Sequence, residues 1–244
     1  EASIGHRTAG RGCPFCRGLK VSATNSLASL HAEIAAQWHP IKNGSLTAEQ
    51  VVAGSGKKAW WICPEGPDHE WQASISDRSA GSGCPFCAGR NVSATNSLAF
   101  LHPELAAQWH PTKNGSLTPD QVVAGSAKKA WWICTEGHDH EWEASPNNRT
   151  SKGSGCPCCA GQKVSATNSL ASLHAELAAQ WHPARNGSLT PDHVLAGSHK
   201  KAWWICPEGP DHEWEASIGS RTRGNGCPFC AGKSVSVTNS LAGL

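Results

Sequence analysis

The stretch KKAWWICPEGPDHEWQASISDRSAGSGCPFC, residues 57–87, decides the fold of this chain. It contains two β-prone runs, AWWIC and HEWQASI, which are predicted to pair as a hairpin across PEGPD. The hairpin brings Cys63 and His69 side by side, and the stretch ends in a Cys-Pro-Phe-Cys knuckle formed by Cys84 and Cys87. Four potential metal ligands are therefore expected to meet at one end of a short hairpin.

The spacing of these ligands is typical of structural zinc. Cys-x5-His is followed, after 14 residues, by Cys-x2-Cys, whose two sulfurs can face one ion. Three thiolates and one imidazole form a closed tetrahedral shell for Zn²⁺ that leaves no open position for substrate, so no enzyme activity is predicted. A disulfide framework is one alternative, but three cysteines cannot all pair within one stretch. An iron–sulfur site is another, and it usually takes four cysteines.

Self-similarity shows that the stretch belongs to a tandem repeat with a period of about 71 residues. KKAWWIC recurs at 57–63, 128–134 and 200–206, and the extra residue of the second repeat is placed in the loop before Cys156. No Gly/Ser/Pro linker separates the repeats, so neighbours are predicted to touch. The predicted complete zinc repeats are 17–87, 88–159 and 160–230, with 1–16 as the C-terminal half of a preceding repeat and 231–244 as the start of a following one.

Two residues of the second repeat compete with its ligands. Cys158 stands where the other knuckles carry phenylalanine, so we interpret it as a buried thiol. His138 is rejected because only the histidine of His-Glu-Trp keeps the same distance in every repeat. The predicted zinc ligands are Cys63, His69, Cys84 and Cys87; Cys134, His140, Cys156 and Cys159; and Cys206, His212, Cys227 and Cys230.

A further Cys-x2-Cys knuckle, at Cys13 and Cys16, has no Cys-x5-His before it. Glu1 aligns with Gln72, which lies just after His-Glu-Trp in the first complete repeat. We therefore expect this knuckle to be half of a zinc site whose other two ligands lie outside the sequence. The predicted cofactors are Zn²⁺ at three complete sites and this half site.

An amphipathic helix is predicted before each hairpin from apolar residues spaced 3, 4 and 4 apart. In the second repeat Pro103 fits a first helical turn, so the helix proper is expected to begin near His102 and to end at His110-Pro111. Thr118-Pro119-Asp120 predicts one short helical turn. The apolar stripes are Leu27, Leu30, Ile34 and Trp38; Leu98, Leu101, Leu105 and Trp109; and Leu170, Leu173, Leu177 and Trp181.

Each Trp-Trp pair is predicted to send one ring into the core and the other outward, as a contact between repeats or a stacking platform. The histidines of the three Trp-His-Pro motifs are expected to cap or pack. These are His39, His110 and His182.

The chain contains a set of short motifs in a fixed order. They are Trp-His-Pro-x-Lys-Asn-Gly, Leu-Thr-Pro, Lys-Lys-x-Trp-Trp-x-Cys, His-Glu-Trp, an arginine such as Arg78, and Gly-Cys-Pro-x-Cys. This ordered set resembles a tandem probable zinc-ribbon, treble-clef-like repeat family of unknown function. The resemblance implies small α+β zinc-finger repeats, each with a helix, a β-hairpin and a Cys-Pro-x-Cys knuckle, in a tandem array. It also implies zinc at the Cys, His, Cys and Cys positions, and an association with nuclease-like domains that favours nucleic acid.

The charge balance favours a structural or protein-interaction scaffold, with protein partners or a larger assembly. The formal charge is +2 with neutral thiols; three zinc ions add six charges and nine thiolates remove nine, which leaves about −1. Nucleic-acid domains usually carry a strong basic excess. The alternative function is nucleic-acid binding through basic groups beside tryptophans. The candidate contacts are Lys57, Lys58, Arg78, Lys128, Lys129, Arg149, Lys200, Lys201 and Arg221.

Composition limits location and ligand class. No run approaches the roughly 18–20 apolar residues of a membrane span, so no span is predicted. No small-molecule substrate is expected, because no catalytic constellation occurs. Reduced zinc thiolates suit an intracellular compartment, which could be an organelle.

Overall fold

A computed structural model describes residues 12–240. Contacts divide the chain into two units: residues up to Ala107 with Ser116–Ala127, and Gln108–Gly115 with the residues from Lys128 onward. The first repeat lies within the first unit and the third repeat within the second. The boundary passes through the middle repeat, whose hairpin and zinc ligands all lie in the second unit.

Two short helices open each repeat where one continuous helix was predicted. The backbone of His31 leaves the helical region (φ −141°, ψ 67°) and separates them, and His102 and His174 do the same. Alanine follows the break in the first and third repeats, so Pro103 is compatible with the break and does not cause it. The helices are α1 (Leu27–Leu30), α2 (Ala32–Ala35), α4 (Leu98–Leu101), α5 (Pro103–Ala106), α7 (Leu170–Leu173) and α8 (Ala175–Ala178).

The break changes which residues of the apolar stripe are buried. Leu27 is fully buried and Ile34 and Trp38 pack against the core, whereas Leu30 is 55% exposed, so the predicted stripe is wrong at Leu30. The expectation that a helix begins near His102 is confirmed by α5. A 3-10 turn at Pro119–Gln121, capped by Thr118, confirms the predicted short helical turn.

An antiparallel hairpin follows in each repeat, as predicted. In the first repeat Trp61 pairs with Trp71 across the two strands. The inner tryptophans Trp61, Trp132 and Trp204 are fully buried, which confirms that one ring of each pair points inward. The strands are β1 (Lys58–Ile62) with β2 (Glu70–Ser74), β3 (Ala130–Ile133) with β4 (Glu141–Ala144), and β5 (Lys201–Ile205) with β6 (Glu213–Ser217).

The segment after α2 pairs with the hairpin instead of continuing the helix. Its backbone forms a bridge between Trp38 and Trp61, and the amide of His39 donates to the carbonyl of Trp60 at 3.0 Å. The rings of Trp38 and Trp61 meet edge to face at 5.3 Å. The helix therefore ends at Ala35, before the predicted His-Pro boundary, because residues 37–39 supply hydrogen bonds to β1.

A short helix after each hairpin was not predicted from the sequence. In the first repeat Ser74 caps it by accepting a hydrogen bond from the amide of Asp77 at 3.0 Å. The extra residue of the second repeat falls in the predicted stretch before Cys156, where this helix has six residues and not five. The helices are α3 (Ile75–Ser79), α6 (Pro146–Ser151) and α9 (Ile218–Thr222).

The apolar core of a repeat is small and adjoins its metal ligands. In the first repeat Leu27, Val51, Trp61, Trp71 and Ile75 pack together with the ligand sulfurs of the hairpin and knuckle. The third repeat repeats this cluster with Leu170, Val194, Trp204, Trp214 and Ile218. A core of this size needs further stabilisation of the kind that a bound metal supplies in small domains.

Candidate metal centre

The four predicted ligands of each repeat meet, with all ligand atoms of a set within 4.8 Å of one another. In the first repeat Cys63 Sγ lies 3.6 Å from Cys87 Sγ, and His69 Nδ1 lies 3.8 Å from Cys84 Sγ. Tetrahedral zinc, with bonds of about 2.3 Å to sulfur and about 2.0 Å to nitrogen, requires ligand separations of about 3.5–3.8 Å. The donor set and its spacing therefore fit Zn²⁺.

The other two repeats have the same geometry. Cys134 Sγ lies 3.7 Å from Cys159 Sγ, and Cys206 Sγ lies 3.6 Å from Cys230 Sγ. These separations are far longer than a disulfide bond of about 2.05 Å, so the cysteines are thiols. His140 is the ligand of the second set, and His138 is not part of it.

Local backbone geometry positions each ligand. The amide of Cys63 donates to the carbonyl of His69 at 3.0 Å, which closes the end of the hairpin. A Cβ on Gly66 would lie 2.8 Å from the His69 ring, so only glycine lets the imidazole turn toward the sulfurs. Gly137 and Gly209 adjoin His140 and His212 in the same way.

The thiols need a cation to ionise together. Burial and the neighbouring thiol of Cys63 raise the pKa of Cys87 to about 12. The pKa of Cys159 is raised to about 12, also chiefly by burial, and the pKa of Cys230 to about 12, chiefly by its contact with Cys206. Bound Zn²⁺ stabilises the thiolates, so metal binding releases protons and its free energy contributes to folding.

The recurring arginines are buried against the tryptophan rings of the hairpins. Arg78 is 5% exposed, and its guanidinium carbon lies 5.2 Å from the ring centres of both Trp61 and Trp71. Its Nη2 donates to Gln37 Oε1 at 2.6 Å. Burial lowers the pKa of Arg78, and the nearby sulfurs of Cys84 and Cys63 oppose that shift.

This position changes the interpretation of the three arginines. Arg149 is 6% exposed and Arg221 is 5% exposed, so all three are buried where surface contacts to nucleic acid were predicted. A Zn²⁺ with three thiolates and one imidazole carries a net charge of about −1. A guanidinium buried near the ligand cysteines has the opposite charge, and this burial is a feature that the sequence did not reveal.

The lysine pairs remain on the surface, while the outer tryptophans are partly covered. Lys57, Lys58, Lys128, Lys129, Lys200 and Lys201 are exposed. The Nζ of Lys42 lies 4.7 Å from the ring centre of Trp60, and Lys113 and Arg185 lie 4.6 Å from those of Trp131 and Trp203. A cation of the same repeat therefore occupies one face of each outer ring.

The Trp-His-Pro histidines cap and pack, as predicted. His39 is buried, and its Nδ1 accepts from the amides of Ile41 and Lys42. Its Nε2 lies 3.0 Å from Glu70 Oε1, beside the Lys42–Glu70 ion pair. His110 makes the equivalent contacts, and His182 keeps both amide bonds and the contact to Glu213.

The knuckle phenylalanines support the ligand histidines. The ring of Phe86 stacks on His69 at 5.0 Å, and that of Phe229 on His212 at 5.0 Å. Cys158 replaces this ring in the second repeat and is 2% exposed, which confirms a buried thiol. The Cys-Pro-Phe-Cys motif was visible in the sequence, but the stacking partner of its phenylalanine was not.

Cys13 and Cys16 form a knuckle with the backbone bonds of the others. The amide of Arg17 donates to Cys13 O at 3.1 Å, as that of Ala88 does to Cys84 O. Both thiols are exposed. Within residues 12–240 they are not part of a cluster of three or more ligands.

A comparison with protein families agrees with this geometry, and a comparison with curated proteins found none that matches the chain. None of the helices in residues 12–240 is long and apolar enough to cross a bilayer. The family model described as "Probable Treble clef zinc finger domain" matches three tandem segments, residues 34–90, 105–162 and 177–233. Because these matches cover most of the sequence, the chain belongs to the probable treble clef zinc finger family, with three zinc-binding repeats.

Proposed function

We propose that the chain is a non-catalytic scaffold whose zinc-stabilised repeats present a surface to protein partners. The observation that carries the proposal is a leucine at the end of the first helix of every repeat. Leu30 is 55% exposed, Leu101 49% and Leu173 55%. A large apolar side chain exposed at the same place in each repeat provides area that a protein partner would bury.

The distribution of charge supports a protein partner over nucleic acid. The arginines that could have contacted phosphate are buried beside the zinc centres, and the outer tryptophans already stack on cations of their own repeat. With zinc bound, the formal charge is about −1, which does not attract a polyanion over distance.

Nucleic-acid binding is the second candidate, favoured by one observation. Every repeat exposes a lysine pair at the start of its hairpin, beside the outer tryptophan. Contacts between these lysine pairs and phosphate groups would give an affinity for nucleic acid that falls steeply as the salt concentration rises.

The two candidates are separated by matched variants of the full chain. The scaffold proposal expects L30S/L101S/L173S to lose the proteins that co-purify from the native source. It expects the variant that combines K57Q/K58Q, K128Q/K129Q and K200Q/K201Q to keep these co-purifying proteins. Binding to single- or double-stranded oligonucleotides at physiological salt should be no tighter than the non-specific range of about 10⁻⁴–10⁻⁶ M. If the chain binds oligonucleotides more tightly than this, in a salt-dependent way, and the lysine variant loses that binding, then the nucleic-acid function is favoured over the scaffold.

Absence of catalysis is part of the proposal. Each centre has four protein ligands, which fills the tetrahedral shell and leaves no position for a reacting group. The reduced thiolates suit a reducing compartment. Hydrolysis of peptide, ester or phosphodiester substrates that C63S, C134S and C206S each abolish would contradict a purely structural role for zinc.

Cys13 and Cys16 are proposed to be half of a further zinc centre. Their knuckle has the backbone of the complete ones, and the contact with Cys13 raises the pKa of Cys16. Two thiolates alone bind zinc weakly, so the proposal expects three tightly bound ions, plus a weak fourth that C13S/C16S removes. A weak fourth ion that persists in C13S/C16S would contradict it.

A further inference from the structure

The outward nitrogen of each zinc-binding histidine contacts the beginning of the following repeat. Because Nδ1 faces the sulfurs, Nε2 carries the proton and needs an acceptor. His69 Nε2 lies 3.1 Å from Ser93 Oγ and 3.3 Å from Thr95 Oγ1. Both hydroxyls lie beyond the knuckle and beyond the matched segment 34–90.

The same contact occurs at all three centres. His140 Nε2 lies 3.0 Å from Ser165 Oγ and 2.7 Å from Thr167 Oγ1. His212 Nε2 lies 3.0 Å from Ser236 Oγ and 3.1 Å from Thr238 Oγ1. The arrangement therefore recurs in every complete repeat.

An aspartate and an asparagine hold the hydroxyls in place. Thr95 Oγ1 donates to Asp68 Oδ1 at 2.6 Å, so a carboxylate, a hydroxyl and the imidazole form a chain leading to the metal. Asn96 Nδ2 donates to the knuckle carbonyl of Phe86 at 2.9 Å, and the amide of Ser93 donates to Asn96 Oδ1 at 2.7 Å. The Ser-x-Thr-Asn segment is thus fastened to both halves of the preceding zinc centre.

This segment leads directly into the next repeat. Ser97, which follows Asn96, is the N-cap of α4 and accepts from the amide of Phe100 at 3.2 Å. Ser169 holds the same place before α7. A shift of the zinc centre would therefore reach the first helix of the next repeat through four residues.

We propose that Ser93, Thr95 and their equivalents Ser165, Thr167, Ser236 and Thr238 are positioning residues for the preceding zinc ion, so that metal binding in one repeat orders the start of the next. The hydroxyls fix the tautomer and orientation of the ligand histidine, and the bound histidine fixes the hydroxyl segment. Metal binding in one repeat and the order of the segment that begins the next repeat are coupled in this way, whichever macromolecule the array binds.

The first test measures zinc affinity in the full chain carrying S93A/T95V. Partners that orient a metal ligand typically contribute about 10–100-fold to affinity. The chain is titrated with a competing chelator, and native mass spectrometry counts the ions that remain. In the variant, one zinc ion should dissociate at a chelator activity about 10–100-fold lower than in the wild type, and the other two ions should behave as in the wild type. T95S, which keeps the hydroxyl, should release that ion close to the wild-type activity.

The chain contains its own control in S22A/T24V. The hydroxyls of Ser22 and Thr24 contact each other, 3.2 Å apart, and none of the three zinc-binding histidines contacts them. This variant should leave all three affinities unchanged. Unchanged affinities in S93A/T95V, or loss of all three ions together, would overturn the proposal.

The second test uses hydrogen exchange to measure the effect of the zinc ion on the segment that follows it. C63S/C84S removes the first zinc ion, and amides 93–101 should then exchange faster. Amides 165–173, which follow an intact centre, should keep their rates and serve as the internal reference. Equal rates at 93–101 in the wild type and C63S/C84S would overturn the proposal.

Discussion

The first and third repeats surround their zinc centres alike, whereas the second keeps the ligands and changes what packs against them. Phe86 and Phe229 stack on the ligand histidines, but Cys158 fills that place in the second repeat. Among the residues that the structure describes, Arg78 and Arg221 each leave only Nε without a hydrogen-bond partner, whereas Arg149 leaves Nε and Nη1. Zinc ligation thus fixes the fold of a repeat, and the residues packed around the zinc ligands change how stable that repeat is.

The aspartate beside the ligand histidine shows the same contrast. Hydrogen bonding from Thr95 and Thr238 lowers the pKa of Asp68 and Asp211 to about 2. Asp139 instead accepts from the amide of Ala166 at 2.6 Å, and its Oδ1 lacks a partner among the described residues. We therefore expect the second zinc centre to be the weakest of the three.

The largest effect should come from removing a ligand, and it should be the same in every repeat. C63S, C134S and C206S should each lose one zinc ion and unfold one repeat, because structural zinc contributes on the order of 10 kcal/mol to folding. Native mass spectrometry and circular dichroism measure the two changes. C158S is the matched control and should keep three ions; loss of an ion in C158S would make Cys158 a ligand.

Removing the buried guanidinium should have the next largest effect and should distinguish the repeats. R78M leaves the zinc–thiolate centre uncompensated and should lower the free energy of unfolding by about 3 kcal/mol. R149M should cost about 1 kcal/mol less, because Arg149 has one fewer satisfied nitrogen. Chemical denaturation measures both. An R149M cost that equals or exceeds that of R78M would contradict the ranking.

Replacing the stacking phenylalanine with cysteine should make the first and third zinc centres resemble the second in stability. F86C and F229C should each destabilise their repeat by about 2 kcal/mol, through lost burial and lost stacking on histidine. The readout is the rate of zinc transfer to a chelator, which should rise toward that of the second centre. Unchanged release in both variants would show that Cys158 does not explain the difference.

The smallest effect should come from the exposed lysine pairs. K57Q/K58Q should change the free energy of unfolding by less than about 0.5 kcal/mol. K200Q/K201Q also breaks the exposed Lys201–Glu215 ion pair and should cost at most about 1 kcal/mol. Thermal melts measure these shifts. A larger loss would mean that the pairs stabilise the repeats and are not free for a partner.

The sequence predicted the ligand set and the hairpin because zinc fixes ligand spacing and strand alternation fixes which Trp ring is buried. It did not predict the breaks at His31, His102 and His174, because a helical stripe reports side-chain spacing and not the backbone at one residue. It also misplaced the arginines. Their burial depends on tryptophan rings and a glutamine that only the folded repeat brings to one place.

The most direct test of the central claim is metal stoichiometry of the intact chain under reducing conditions, by native mass spectrometry with elemental analysis. One zinc ion per complete repeat predicts three tightly bound Zn²⁺ per chain and loss of secondary structure when a chelator removes them. Fewer than three ions, or a chain that keeps its fold without metal, would contradict it.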